Sequence, residues 1–200
     1  MILGNEIAEI VEEYVYLGQA LRMDNDLKGE LQRRRRAGWI QFTKMREIFS
    51  DPSIRQSLKT EIFNRDVLPV LLYGCETWNT TLAEEKLMVV TQQSMERRIT
   101  EVSRLQHMTN EEVRRSSGVR DIVETMYARK RSWAGHVARL SDNRWTKRIA
   151  EWYPRDIKRP RGRPPRRWSD PLRKIFGVTW IRSAQNRKFF KRCRLDSWRQ

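Results

Sequence analysis

The chain has 200 residues, with 41 Lys or Arg against 25 Asp or Glu, a formal net charge of +16 and 38% hydrophobic residues. No apolar run approaches the ~18 residues that span a bilayer, and the two distant cysteines, Cys75 and Cys193, make no disulfide framework. These features argue against a membrane-spanning or disulfide-stapled protein, and so large a positive charge makes nucleic acid the expected partner. The acidic opening from Met1 to Glu13 is unlike a signal peptide, so an intracellular location, nucleus and/or cytoplasm, is expected.

The expected fold is mainly α. Residues 1–30 are acidic, and Ile7 to Gly18 is rich in β-branched and aromatic residues bounded by Gly, which reads as short strands, a hairpin that needs further sheet to be stable. From Asp24 the period becomes helical: Asp24 or Asp26 is the expected N-cap, and Leu27, Leu31, Trp39, Phe42, Met45 and Phe49 form an apolar stripe. Asp51-Pro52 predicts a new helix with a carboxylate cap and Pro in the first turn. Its buried side is Ile54, Leu58, Ile62 and Phe63, and it should end near Leu68-Pro69. Val70 to Trp78 reads as a strand or extended connector.

Thr81-Leu82-Ala83-Glu84 is a capping box opening a long helix that carries Leu87, Val90, Met95, Ile99, Val102 and Leu105. Thr109-Asn110-Glu111-Glu112 is a second, for a short helix stopped at Ser117-Gly118. Asp121 should cap a third, with Ile122, Met126, Tyr127, Trp133, Val137 and Leu140 on one face. Residues 154–171 carry five prolines and many Lys and Arg, so an extended basic linker is expected. Helical character returns near Thr179 as a short amphipathic tail. Five segments result: 1–23, 24–110, 111–153, 154–171 and 172–200.

Two basic clusters are the candidate binding residues. Arg33, Arg34, Arg35 and Arg36 lie on the first helix, where four consecutive side chains spread around a turn and at most two can face one partner. The second cluster comprises Lys158, Arg159, Arg161, Gly162, Arg163, Arg166 and Arg167, followed by Trp168. Its Arg-Gly-Arg-Pro core is similar to an AT-hook: Gly leaves the minor-groove floor clear, Pro164 and Pro165 keep the chain extended, and Arg reaches between the phosphate walls. Sequence-independent phosphate binding and a nuclear-localisation signal fit the same residues. His136 and Arg139, within Trp133-Ala-Gly-His-Val-Ala-Arg139, are candidate phosphate contacts, with packing the alternative for His136.

The ordered segments Tyr14-Val-Tyr-Leu-Gly-Gln19, Leu68-Pro-Val-Leu-Leu-Tyr-Gly-Cys-Glu-Thr-Trp78, Gln93-Ser-Met-Glu-Arg-Arg98, Trp133 to Arg139 and Gly162-Arg-Pro-Pro-Arg-Arg-Trp-Ser-Asp170 resemble one family. It is the C-terminal part of the endonuclease–reverse transcriptase of non-LTR (LINE-type) retrotransposons. The likeness covers nearly the whole chain; Phe189-Phe190 departs from it, where the family more often has a single Trp. The resemblance implies that the first strands are a truncated palm edge and the following helices thumb-like. It also implies that the endonuclease and polymerase motifs lie upstream, and that the partners are element RNA, template–primer and target DNA.

Catalysis by this chain alone is not expected. Nucleotidyl transfer needs convergent carboxylates on paired metal ions, and the family's Asp-Asp pair is absent; Asp24-Asn25-Asp26 sits where a cap belongs. Cys75, His107, His136 and Cys193 lack zinc-site spacing. No cofactor is expected here, Mg belonging to the missing palm. Two alternatives stay open: a contribution to an active RNA-directed DNA polymerase whose palm is on an upstream or separate polypeptide, and a degenerate remnant without function.

Overall fold

The computed structural model describes residues 2–3, 6–7, 11–24, 26–142, 144–152, 161–162 and 166–192. It is mainly helical, with short antiparallel strands near the start of the chain. The chain divides into two compact units, 1–74 with 82–119, and 75–81 with 120–200.

The first unit begins with two hairpins, β1 (Ile2–Leu3) with β2 (Glu6–Ile7) and β3 (Glu13–Tyr16) with β4 (Gln19–Arg22). The β3–β4 turn is held by the helix after it, α1 (Lys28–Lys44). Glu30, 1% exposed, accepts the Ala20 backbone N–H at 2.9 Å and pairs with Arg33 at 3.0 Å and with Arg34. Both guanidinium groups donate to the Gly18 carbonyl, and the Tyr73 hydroxyl donates to the Leu17 carbonyl at 2.7 Å. A carboxylate does stand at the helix entry, one residue early: Asp26 accepts the Lys28 N–H at 3.1 Å, while Leu27 occupies the cap position.

Leu31, Phe42 and Phe49 are buried as the stripe requires, Phe49 on α2 (Arg46–Ser50). Phe49 stacks on Phe42 at 4.8 Å, and Phe63 meets Phe42 edge-on. Asp51-Pro52 does not start the next helix. Asp51 accepts from the backbone N–H and hydroxyl of Ser53, closing a turn, and α3 runs Gln56–Ile62. The later start turns Leu58 outward, 42% exposed, and buries Lys59, whose ammonium lies 4.0 Å from Glu101.

The largest departure from expectation is at Pro69, which does not end the helix. A π-helical turn, Phe63–Val67, precedes α4 (Leu68–Leu71), and the Leu68 N–H bonds to the Phe63 carbonyl. Proline lacks a donor and crowds the carbonyl four residues back; five-residue bonding just before it moves the ladder off that carbonyl, so the helix passes through. Residues 70–78 are therefore neither strand nor extended: α4 ends in a turn and a 3₁₀ turn follows at Cys75–Thr77.

Helix α5 (Leu82–Ile99) starts where the capping box sets it but stops before Leu105, which is 86% exposed. Its buried face is Met88, Thr91, Gln92, Met95, Glu96 and Ile99, with Val90 turned out. The face is rotated from the purely apolar stripe because it receives polar partners. The Thr91 hydroxyl accepts from Arg35 at 2.7 Å, and Glu96 pairs with Arg114 of α6 (Asn110–Ser117) at 3.0 Å. Helix α6 has the full capping box between Thr109 and Glu112, and those hydrogen bonds hold the Glu112 carboxyl below its usual range. It ends at Gly118 in the left-handed conformation.

In the second unit Asp121 caps α7 (Ile122–Ala138), accepting from the N–H groups of Val123 and Glu124. Helix α8 (Trp145–Glu151) follows. Helix returns earlier than Thr179, with α9 (Asp170–Phe176) before α10 (Trp180–Gln185) and α11 (Arg187–Arg192). Ala134 and Ala138 of α7 let α10 and α11 come close, and Leu172, Trp180, Ala184 and Phe190 complete that core. Trp133, expected on the buried face, is 40% exposed.

Two expectations follow for stability. Glu30→Ala should cost about 3–5 kcal/mol, because it strands the buried Arg34 guanidinium; a loss under ~1 kcal/mol in urea unfolding would show that Gly18 alone suffices. Gly38→Ala should destabilise although Ala is the better helix former by roughly 1 kcal/mol. An added Cβ would lie 2.3 Å from Cδ2 of the fully buried Leu71, and overpacking costs about 1–3 kcal/mol. A raised melting temperature for this variant would contradict that close approach of α1 to α4.

Candidate nucleic-acid interface

The positive charge is concentrated in one unit. Residues 120–200 contain 24 Lys or Arg against seven Asp or Glu, whereas residues 1–119 contain 17 against 18.

The Arg33–Arg36 cluster is largely absorbed by its own unit. Arg34 is buried, with its guanidinium 4.6 Å from the Tyr73 ring. Arg33 shares Glu30 and Gly18, and Arg35 binds Thr91. Arg36 is exposed and has no partner among the described residues.

Of the Arg/Pro segment, Lys158, Arg159, Arg163, Pro164 and Pro165 lie outside the described residues. Arg161 and Gly162 are exposed, and Gly162 has φ +105° with nothing near a would-be Cβ. Arg166 and Trp168 have internal roles. The Arg166 guanidinium donates to the Thr80 carbonyl at 2.6 Å and to the Tyr127 hydroxyl at 3.3 Å. Trp168 Nε1 donates to the Glu76 carbonyl at 2.8 Å, its ring edge-on to Trp180 and 5.4 Å from the Lys130 ammonium. The Arg167 backbone N–H donates to Asp170 at 2.6 Å. Lys130, 2% exposed, donates to the Trp78 carbonyl at 2.8 Å. Residues 166–168 and Lys130 thus fasten the 75–81 segment within this unit.

His136 and Arg139 sit on different parts of the α7 surface. The His136 ring is exposed, 5.6 Å from the Trp133 ring, and borders an open groove of about 630 Å³ with Glu76, Thr77, Arg129, Ser132 and Trp133. Arg139 donates to the Ala184 carbonyl at 2.9 Å and lines a separate recess of about 330 Å³ with Arg131, Gly135, Arg187, Phe190 and Lys191. A third hollow, about 270 Å³, joins Trp133, Val137, Ile149, Trp152 and Trp168 with the polar Thr77, Thr146, Arg167 and Ser169. Trp152 and nearby Trp145 are 67% and 73% exposed. An indole exposed to this degree beside cationic side chains can stack on a base.

The chain is similar to a transposon-derived protein. It is 39% identical over 168 residues to an uncharacterized transposon-derived protein of Caenorhabditis elegans, the match covering 82% of this chain and 60% of that protein. The chain therefore spans about 60% of the length of the curated relative it matches. This likeness supports a transposable-element origin. No protein-family model matches the chain, and no solved structure matches it.

Among the described residues, no three His, Cys, Asp or Glu side chains gather as metal ligands would, and no helix is long and apolar enough to cross a membrane. Cys75 is buried, and burial pushes its thiol up to about 12, the Glu76 charge adding and Arg129 opposing. Sequence reasoning missed Arg131, Arg187 and Lys191. Their signal was there to read: Arg131, Gly135 and Arg139 recur every four residues on α7, as Arg187 and Lys191 do on α11.

The raised Cys75 pKa predicts slow modification. In a Cys193→Ser background at pH 8, disulfide exchange in the folded protein should be slower than in urea by roughly 10³-fold. The neutral thiol is favoured in the folded state. Its stabilising contribution is therefore present below the unfolded pKa of about 8.5 and is lost as pH rises towards about 12. Equal reaction rates in the two states would refute the burial.

Proposed function

We propose that this chain is a non-catalytic, nucleic-acid-binding C-terminal part of a retrotransposon reverse transcriptase. It grips template–primer, element RNA and target DNA through phosphate contacts. The carrying observation is the charge partition: the whole excess of Lys and Arg falls in residues 120–200, beside the exposed indoles of Trp145 and Trp152. A unit so charged repels itself, and a polyanion relieves that repulsion while releasing its own counterions. The transposon-derived relative supports the same reading. Polymerisation, and the Mg it needs, are assigned to a palm outside these residues, and the binding to an intracellular setting.

A second reading draws on β3 and the turn after it: every residue of β3 is exposed, and Tyr14, Val15, Tyr16 and the turn residue Leu17 are between 52% and 75% exposed. An apolar exposed edge strand is a template for further pairing, which fits completion by a polymerase palm on another segment or polypeptide. Primer extension on mixing this chain with such a palm would separate that role from binding alone.

Phosphate-dominated binding predicts a steep salt response. With six or more contacts, affinity for a nucleic-acid duplex should fall ~10³-fold or more between 50 and 200 mM salt. A flat response in a filter-binding titration of the full chain would overturn the proposal.

A further inference from the structure

The recess between α7 and α11 has the composition of an anion site. Its walls bring together Arg131 and Arg139 of α7 with Arg187 and Lys191 of α11, and no acidic side chain among the described residues lines it. The floor is small or flat: Ala128, Gly135 and the Phe190 ring. Gly135 keeps that floor low: an added Cβ would sit 3.0 Å from Nη1 of Arg139 and 3.1 Å from Phe190, so a neighbour would have to give by a few tenths of an ångström. Arg139 is already oriented, its Nη1 bound to the Ala184 carbonyl. Arg187 and Lys191 are exposed and form no ion pair among the described residues.

This chain gives its inward-facing cations an oxygen, as the Ala184 carbonyl does for Arg139. Glu30 serves Arg34, Glu96 serves Arg114 and the Trp78 carbonyl serves Lys130. Four cations brought to one cavity, of which Arg187 and Lys191 form no ion pair among the described residues, repel one another and are stabilised by an incoming anion. Arginine's fork suits phosphate oxygens, and the lysine adds a point charge.

We infer that this recess is a phosphate-binding site, holding a phosphate of the bound nucleic-acid strand between Arg131, Arg139, Arg187 and Lys191. The inference rests on the nucleic-acid-binding reading for its ligand and names the residues that the reading leaves open. An internal phosphodiester and a terminal phosphomonoester carry the same chemistry, so oligonucleotides of one sequence with a 5′-phosphate or a 5′-hydroxyl distinguish the two sources.

The test compares the full-length chain with two variants of equal charge change. One is Arg187→Gln/Lys191→Gln in the recess; the other is Arg182→Gln/Lys188→Gln, exposed residues that do not line it. The recess variant should bind oligonucleotide roughly tenfold more weakly per lost contact at 0.1 M salt, and its salt slope should fall by about 2. The control should lose clearly less. A recess effect confined to the 5′-phosphorylated strand assigns the site to a strand end, and an equal effect on both strands assigns it to the internal backbone. Equal losses in the two variants would overturn the proposal, since charge alone would then account for binding.

Inorganic phosphate gives a readout free of oligonucleotide. It should raise the melting temperature of the wild type and the control more than that of the recess variant. If the chain binds no oligonucleotide but keeps this recess-dependent shift, the site stands and the nucleic-acid reading falls. If oligonucleotide binds and neither measurement depends on the recess, the reverse holds.

Discussion

A cation removed from water must be given an oxygen, and among the described residues Arg34, Arg114 and Lys130 each meet that constraint. The desolvation of a guanidinium or ammonium costs several kcal/mol unless an acceptor replaces the lost water. Glu30 is the fullest case: one buried carboxylate binds a strand N–H and two arginines, and those arginines hold the hairpin carbonyl at Gly18. The hairpin's placement on α1 thus follows from compensating Arg34. Glu96 with Arg114 does the same between α5 and α6, and Lys130 does it with the carbonyl of Trp78.

The cations divide by role. Arg33, Arg34, Arg35, Arg114, Lys130 and Arg166 are engaged by the fold, so their abundance says little about ligands. Arg187 and Lys191, by contrast, are exposed and form no ion pair among the described residues. A run of arginines is accordingly a weaker sign of a binding surface than arginines at helical spacing on two facing helices.

Helix α7 links packing to surface chemistry within its unit. Ala134 and Ala138 open one side to Trp180 and Ala184, which brings α10 and α11 close. The same approach places Arg187 and Lys191 opposite Arg131 and Arg139. On another side, exposed Trp133 and His136 share a groove. Small residues in Trp133-Ala-Gly-His-Val-Ala-Arg139 therefore position charge as well as pack a core.

What was legible in the sequence was local. The Thr109–Glu112 capping box, the Asp121 cap, the Gly118 stop, the mainly helical class and the strand before Gly18 each depend on hydrogen bonds or φ angles within a few residues, whereas the hairpin itself turns at Gly18 and pairs that strand with Gln19–Arg22. The charge partition is equally a property of the sequence. Tertiary structure decided the rest. Pro69 lies inside a helical run because a π turn moved the backbone ladder, and Asp51 closes a turn because Ser53 offers it two donors. Trp168, half-buried, and Arg166, still exposed, are tied to the 75–81 segment because it presents carbonyls that need donors. Side-chain chemistry sets what a residue can bind; which partner it meets depends on groups far away in sequence, brought near only by folding.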